Sequence, residues 1–199
     1  MYVIRGRNVN DIYLDALWYM KVSGETEQSR NGKVRVAPTP VATVYERPTE
    51  RMLFDPKRDA NPFFHVIEAL WMLAGRKDVK PVQRYASNMG DFSDDGVTLN
   101  GAYGFRWRNH FDFDQITEVI DQLKNDPTTR RAVVSMWDPM FDMENASKSK
   151  DVPCNTHIYF RVKNGAVHMT VLNRSNDIIW GCYGANAVHM SYLLEYVSL

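Results

Sequence analysis

Chemistry-bearing residues fall in five short stretches of the sequence. In VPCNTHIYF, residues 152–160, Cys154 sits between a proline and the polar pair Asn155 and Thr156, directly before an alternating run. A cysteine inside a core behaves as a small hydrophobe. At the mouth of a strand it can instead act as a nucleophile, provided that access and nearby positive charge favour the thiolate. Arg130 and Arg131 follow the turn residues DPTT at the start of another apolar run. Neighbouring strand residues face opposite ways, so one would be solvated and the other would lie along the sheet. The functional reading of the pair is phosphate capture by guanidinium forks. LNRSNDIIWG, residues 172–181, packs Arg174, Ser175, Asn176 and Asp177 behind a strand-like run. That cluster is either a turn whose Asn and Asp bond local backbone, or an oxyanion site with Arg174 and Ser175 as donors and Asp177 as an acceptor. Glu68 lies among Phe64, Trp71 and Met72. It is either a solvated helix residue or a carboxyl desolvated by aromatics and poised for acid–base work. Asn186, opening an apolar run, either caps a helix or offers a donor and an acceptor to the edge of a base.

Periodicity predicts the elements that must position these groups. Residues 10–23 carry Ile12, Leu14, Leu17, Trp18 and Met20, the pattern of an amphipathic first helix. Residues 29–48 alternate loosely and are broken by prolines, which predicts a loop and extended strands. In FFHVIEALWMLAG, residues 63–75, Ile67, Leu70, Trp71 and Ala74 recur at helical spacing and Gly75 ends the run. Residues 76–102 are polar and contain glycine, consistent with a long ordered connection. DQITEVIDQLKNDP, residues 114–127, is a further helix with Ile116, Val119, Ile120 and Leu123 on one face. From residue 131 the period changes to two. RAVVSMW precedes a charged loop, MENASKSKDVP, and then THIYFRV and AVHMTVL flank Asn164-Gly165, the dipeptide of a tight hairpin. The closing run ANAVHMSYLLEYVSL is apolar nearly all round, as a buried helix would be. Its arrival at the last residue without a polar tail leads to the expectation of a longer parent enzyme.

Composition bounds the function classes. The 199 residues suffice for one sizeable core, so a single domain is expected. With 44% hydrophobic and 24% charged residues, the chain reads as globular rather than disordered. Lys plus Arg and Asp plus Glu balance at 24 each, which gives no electrostatic reason to make a nucleic acid the main partner. No run is long enough for a membrane span, and the opening MYVIRGRNVNDIY lacks the apolar segment of a signal peptide. A cytoplasmic location follows as the expectation, with Cys154 and Cys182 as free thiols.

Read in order, IEALWMLAG, NGAYGFRWR, DPTTRRAVVSMWDP, the Pro-Cys before a strand, NRSNDIIWG and an Asn-containing helix resemble the thymidylate synthase family. That family includes the phage deoxycytidylate and deoxyuridylate hydroxymethylases, and the resemblance runs from about Arg30 to the end of the chain. It implies a three-layer α/β fold on a large mixed sheet, dimerising through that sheet. Cys154 then matches the nucleophile that adds to C6 of the pyrimidine, and Glu68 the carboxylate that organises water and moves protons. Arg174 and Ser175 match phosphate ligands, Arg130 and Arg131 arginines that reach the phosphate from the partner subunit, and Arg30 that of a mobile phosphate-binding loop. Tyr103 matches an active-site tyrosine, and Asp177 an aspartate near nucleotide and folate. Asn186 falls where the base is chosen, once one extra residue in GCYGAN is allowed. An amide there suits uracil, giving a bond to O4 and accepting one from N3–H, whereas the cytosine enzymes carry a carboxylic acid.

The implied chemistry is one-carbon transfer from 5,10-methylenetetrahydrofolate, as co-substrate and without a metal, to C5 of a pyrimidine nucleoside monophosphate, dUMP favoured. Thiolate addition at C6 turns C5 into an enolate carbon able to attack the folate's iminium form. Thymidylate synthesis is the leading expectation, and hydroxymethylation of dUMP or dCMP the alternative. A catalytically impaired nucleotide- or RNA-binding module is a reading of another class. Three departures stand out. Asn155 follows the nucleophile where synthases carry histidine, with His157 two places on. QRYASNMGDFSDDGV, residues 83–97, replaces a tryptophan-rich segment, and the family's C-terminal part is missing.

Overall fold

In the computed structural model, residues 1–29 and 32–199 are described, and they divide into two compact units. The first comprises Met1–Ala60 and Asp177–Ser191. Strand β1 (Tyr2–Gly6) pairs parallel with β4 (Val41–Tyr45), with Tyr2 opposite Val41 and Gly6 opposite Tyr45. A parallel pair needs a crossover. Helix α1 (Val9–Ser23) and the antiparallel pair β2 (Glu25–Ser29) and β3 (Gly32–Val36) supply it. Asn8 caps α1, its side chain accepting from Asn10 N at 2.9 Å and Asp11 N at 3.1 Å. Val9, Ile12, Tyr13, Ala16 and Tyr19 form the buried face, while Leu14 and Trp18 are each 62% exposed. The helix is therefore apolar on two sides, and the residues four apart at 14, 18 and 22 form the outer one. Ile4, Val9, Ile12, Tyr13 and Ala16 close a core with Tyr183. Tyr183 comes from a π-helical segment, Ile178–Ala185, that leads into α7 (Asn186–Ser198).

The second unit comprises Asn61–Asn176 and Tyr192–Leu199. Helix α2 (Pro62–Leu73) begins with Asn61 accepting from Phe64 N at 3.0 Å and ends before Gly75, which takes a φ of +67°. Its buried face is His65, Glu68, Ala69, Trp71 and Met72, and Leu70 turns to solvent. The polar stretch after it is ordered by α3 (Val79–Gln83) and a 3-10 turn, Ser87–Phe92. Next come α4 (Tyr103–Arg108), α5 (Gln115–Asn125), β5 (Val133–Ser135) and α6 (Pro139–Asn145). The charged loop thus starts as a helix, because Asp138 caps it and Pro139 is preset for a first turn. Strands β6 (Asn155–Lys163) and β7 (Ala166–Asn173) form the expected hairpin, and β5 pairs with β6. Asn164 and Gly165 have φ values of +54° and +72°, the left-handed pair that a two-residue turn between twisted strands requires. Parallel and antiparallel pairing both occur among the described strands, in ladders of two, two and three. No helix among the described residues is long and apolar enough to cross a membrane.

Candidate active site

The position of Cys154 follows from a register shift at the start of β6. Ile158 and Phe160 are buried, so strict alternation would carry Thr156 and Cys154 inward as well. Instead Asn155 pairs with Asn173 and His157 with Leu172, two steps on β6 for one on β7. The extra residue is a β-bulge, which re-aims the side chains before it. The Thr156 carbonyl holds it in place by accepting from Met136 N at 2.8 Å and Trp137 N at 3.2 Å. As a result Asn155 is fully buried, and Cys154 is only half-buried. The thiol sits at the strand mouth because the bulge puts the next residue into the interior in its place.

Arg174, at the far end of the same hairpin, completes the thiol's surroundings. Its backbone N–H donates to the Cys154 carbonyl at 2.9 Å. Its Nη2 donates to Val152 O at 2.9 Å and its Nε to Pro153 O at 3.0 Å, and Nη2 lies 3.9 Å from the Cys154 Sγ. The guanidinium carbon is 5.8 Å from the centre of the Trp137 ring. Two carbonyls fix a positive charge beside the sulfur. A guanidinium has donors to spare for an anion as well. Cys182 differs: its Sγ lies 3.5 Å from the Thr43 Oγ1, and burial pushes its pKa up. Cys154 is the thiol with the Arg174 guanidinium beside it.

Tyr103 opens α4 beside this pair. Burial, and next the charge of Cys154, push its pKa above the ordinary value, against a smaller opposing pull from Asn155. The phenol therefore stays protonated near neutral pH and can give or accept a hydrogen bond there. Gly104 lets α4 seat tightly, for a Cβ at that position would lie 1.9 Å from the Met72 carbonyl oxygen of α2. Glu68 is one turn before Met72 on the buried face of α2. The approaches to Tyr103 and Cys154 are tied together by carboxylates. Gly101 N donates to Asp151 at 2.7 Å, and Asp94 accepts from Asn100 Nδ2 at 2.9 Å, Ser149 Oγ at 2.7 Å and Lys150 N at 3.1 Å.

The other expected residues are described by their own surroundings. Arg130 and Arg131 are exposed, and the DPTT turn before them is closed by Asp126, which accepts from Thr128 N at 2.9 Å and Thr128 Oγ1 at 2.6 Å. Ser175 is exposed just beyond Arg174. In the first unit, Asp177 accepts from Ile179 N at 2.8 Å and Trp180 N at 2.7 Å, so its carboxylate caps the π-helical segment as the turn reading expects. Asn186 follows that segment and is partly buried. The GCYGA residues lie in that π-helical segment, whose backbone leaves helical geometry at Gly184. Arg30 lies outside the described residues.

The model of the family described as thymidylate synthase matches residues 11–198. The chain belongs to the thymidylate synthase family. It is 53% identical over 199 residues to the deoxyuridylate hydroxymethyltransferase of Pseudomonas phage M6, covering all of this chain and 56% of that protein. It is 40% identical over 205 residues to the deoxyuridylate hydroxymethyltransferase of Bacillus phage SP01, covering 98% and 53%. Among solved structures, T4 phage thymidylate synthase aligns with a TM-score of 0.57 and 27% identity, over 67% of this chain and 51% of that one. The chain thus spans about half the length of these relatives.

Sequence reasoning did not assign Asp94, Asp151 or the Arg106–Asp142 pair to the support of this member of the thymidylate synthase family. One signal was available. Arg106 falls inside the short helix with Trp107, and an arginine on a buried helix face demands an acid partner.

Proposed function

We propose that this protein transfers a one-carbon unit from 5,10-methylenetetrahydrofolate to C5 of deoxyuridylate and ends the reaction with water, as a deoxyuridylate hydroxymethylase. The observation that carries the reading is the Cys154 thiol fixed 3.9 Å from the Arg174 guanidinium, on a chain 53% identical along its whole length to a protein of that name. The Cys154 thiolate adds at C6 and makes C5 nucleophilic. Arg174 and Ser175 hold the phosphate, helped by Arg30 and, across a homodimer, by Arg130 and Arg131 of the partner subunit. Clamping the phosphate fixes the ring over the sulfur, where positioning supplies much of the rate. Glu68 and Tyr103 organise water and move the proton lost from C5. Asn186 reads uracil through O4 and N3–H, and Asp177 stands near nucleotide and folate through the segment it caps. The reaction needs no metal and takes place in the cytoplasm, a host's if the gene is a phage's.

Thymidylate synthesis is the second reading, supported by the likeness to T4 phage thymidylate synthase. Incubation with dUMP and methylenetetrahydrofolate separates the two. Hydroxymethylated nucleotide without dihydrofolate absorbance is expected, and dihydrofolate formed with dTMP would move the assignment to the synthase. 5-Fluoro-dUMP with the folate should label Cys154 covalently. Nucleotide binding without any labelling would reduce the protein to a binding module.

A further inference from the structure

Asn155 is the polar side chain beside the nucleophile that the roles above leave without a task. It has no exposure, and neither its Oδ1 nor its Nδ2 has a partner in hydrogen-bonding geometry among the described residues. The Tyr103 hydroxyl makes a looser hydrogen bond with its side chain. Burying an amide so thinly partnered costs about 1–3 kcal/mol, and a leucine of similar shape would fill the space without that cost. The bulge at Thr156 nonetheless turns this amide, and not the thiol, inward. An amide one residue from the nucleophile, beside the Tyr103 hydroxyl and with hydrogen-bonding capacity beyond that one contact, suits a small polar molecule that is fixed during the reaction.

We propose that the Asn155 carboxamide, together with the Tyr103 hydroxyl, orients the water that captures the one-carbon unit. The inference rests on the hydroxymethylase reading and assigns its last step. Once the folate has left, C5 carries an exocyclic methylene while the Cys154 sulfur is still bonded to C6. The water oxygen bonds to the methylene carbon and loses one proton to solvent. The electron pair of the exocyclic double bond moves onto O4 as an enolate. The enolate then re-forms the C5–C6 double bond and expels the Cys154 thiolate. No oxidant or reductant is consumed. Asn155 accepts one O–H of the water and leaves an oxygen lone pair facing the methylene. It orients the water and is not a base.

The test compares an early step with the final product in the full chain. Tritium release from 5-tritiated dUMP reports every step up to loss of the C5 proton, and chromatography reports hydroxymethylated nucleotide. In the unsubstituted protein the two should match. In Asn155→Leu, tritium release and labelling by 5-fluoro-dUMP should persist, while product per tritium released should fall about tenfold, the weight of one lost hydrogen bond to a reacting group. Added mercaptoethanol should then trap the stalled methylene as a thioether. Asn155→Asp, which keeps an acceptor in the same place, should hold product and tritium together. If Asn155→Leu does not fold, Asn155→Ala should show the same uncoupling. Product and tritium falling in step, or neither changing, would overturn the inference. An unsubstituted protein that releases no tritium, or yields dTMP, would instead overturn the functional reading beneath it.

Discussion

Arg106 and Asp142 meet as a two-pronged ion pair, with Nη1 2.6 Å from Oδ2 and Nη2 2.8 Å from Oδ1. Both side chains are at most 1% exposed. The guanidinium also donates to the carbonyls of Asn100 and Met136, and the carboxylate accepts from Asp138 N. The pair therefore joins the entry to α4, where Tyr103 sits, to the end of β5. Removing one partner leaves a buried charge without compensation, so Asp142→Ala should destabilise the protein by about 3–5 kcal/mol in urea melts. Arg106→Met combined with Asp142→Leu should recover most of that loss. A double variant as unstable as the single would show that the remaining polar contacts dominate.

Gly104→Ala should be costly for a different reason. The added methyl would meet backbone atoms of Met72, at 1.9 Å from the oxygen and 2.4 Å from the carbonyl carbon, and neither is a flexible side-chain end. Overpacking of this kind costs about 1–3 kcal/mol. Denaturant titration should register that loss, and nucleotide affinity should fall with it because Tyr103 moves with α4. A neutral outcome would mean that the two helices can part without penalty.

Arg174→Lys keeps the charge and loses the fork. A single ammonium cannot bond the carbonyls of Val152 and Pro153 in the plane that brings Nη2 to the sulfur. Iodoacetamide alkylation of Cys154 at neutral pH should slow by about tenfold, the scale of one hydrogen bond to a charged group. An unchanged alkylation rate would remove Arg174 as the thiolate's partner.

Acid should weaken the first unit through Glu50. Hydrogen bonds from Arg7, then from Asn8, bring its pKa down from 4.5 to about 2. A depressed carboxylate adds stability that is complete above its unfolded pKa and is lost as the pH falls through the folded one. The gap in melting temperature between the unsubstituted protein and Glu50→Gln should therefore be full at pH 6, shrink below about pH 4.5 and close near pH 2. A gap that stays constant over this range would contradict the assignment.

Local signals in the sequence carried far. Asn164-Gly165 specified a hairpin turn, Gly75 a helix end, and the apolar positions of α5 a buried face. Cys154 and Arg174 stand out in the sequence at the ends of two strand-like runs, and the hairpin brings them side by side. What stayed hidden depends on contacts distant in sequence. The two faces of α1 are both apolar, so periodicity alone grouped Leu14 and Trp18 with residues that pack. The burial of Asn155 depends on a register shift set by β7 and by Met136 and Trp137, none of which is its neighbour in sequence. Arg106 finds its acid 36 residues away.

The tight turn at Asn164-Gly165 also governs how Cys154 and Arg174 come together. Cys154 and Arg174 are 20 residues apart and lie at the open ends of one hairpin. Closing so short a loop costs little chain entropy, and hairpins zip within microseconds. The sulfur and its cation can thus meet early in folding, before the more distant supports of the site have assembled. It also makes the turn a ruler: inserting one residue there would slide Arg174 past the thiol and invert every side chain of β7 relative to β6.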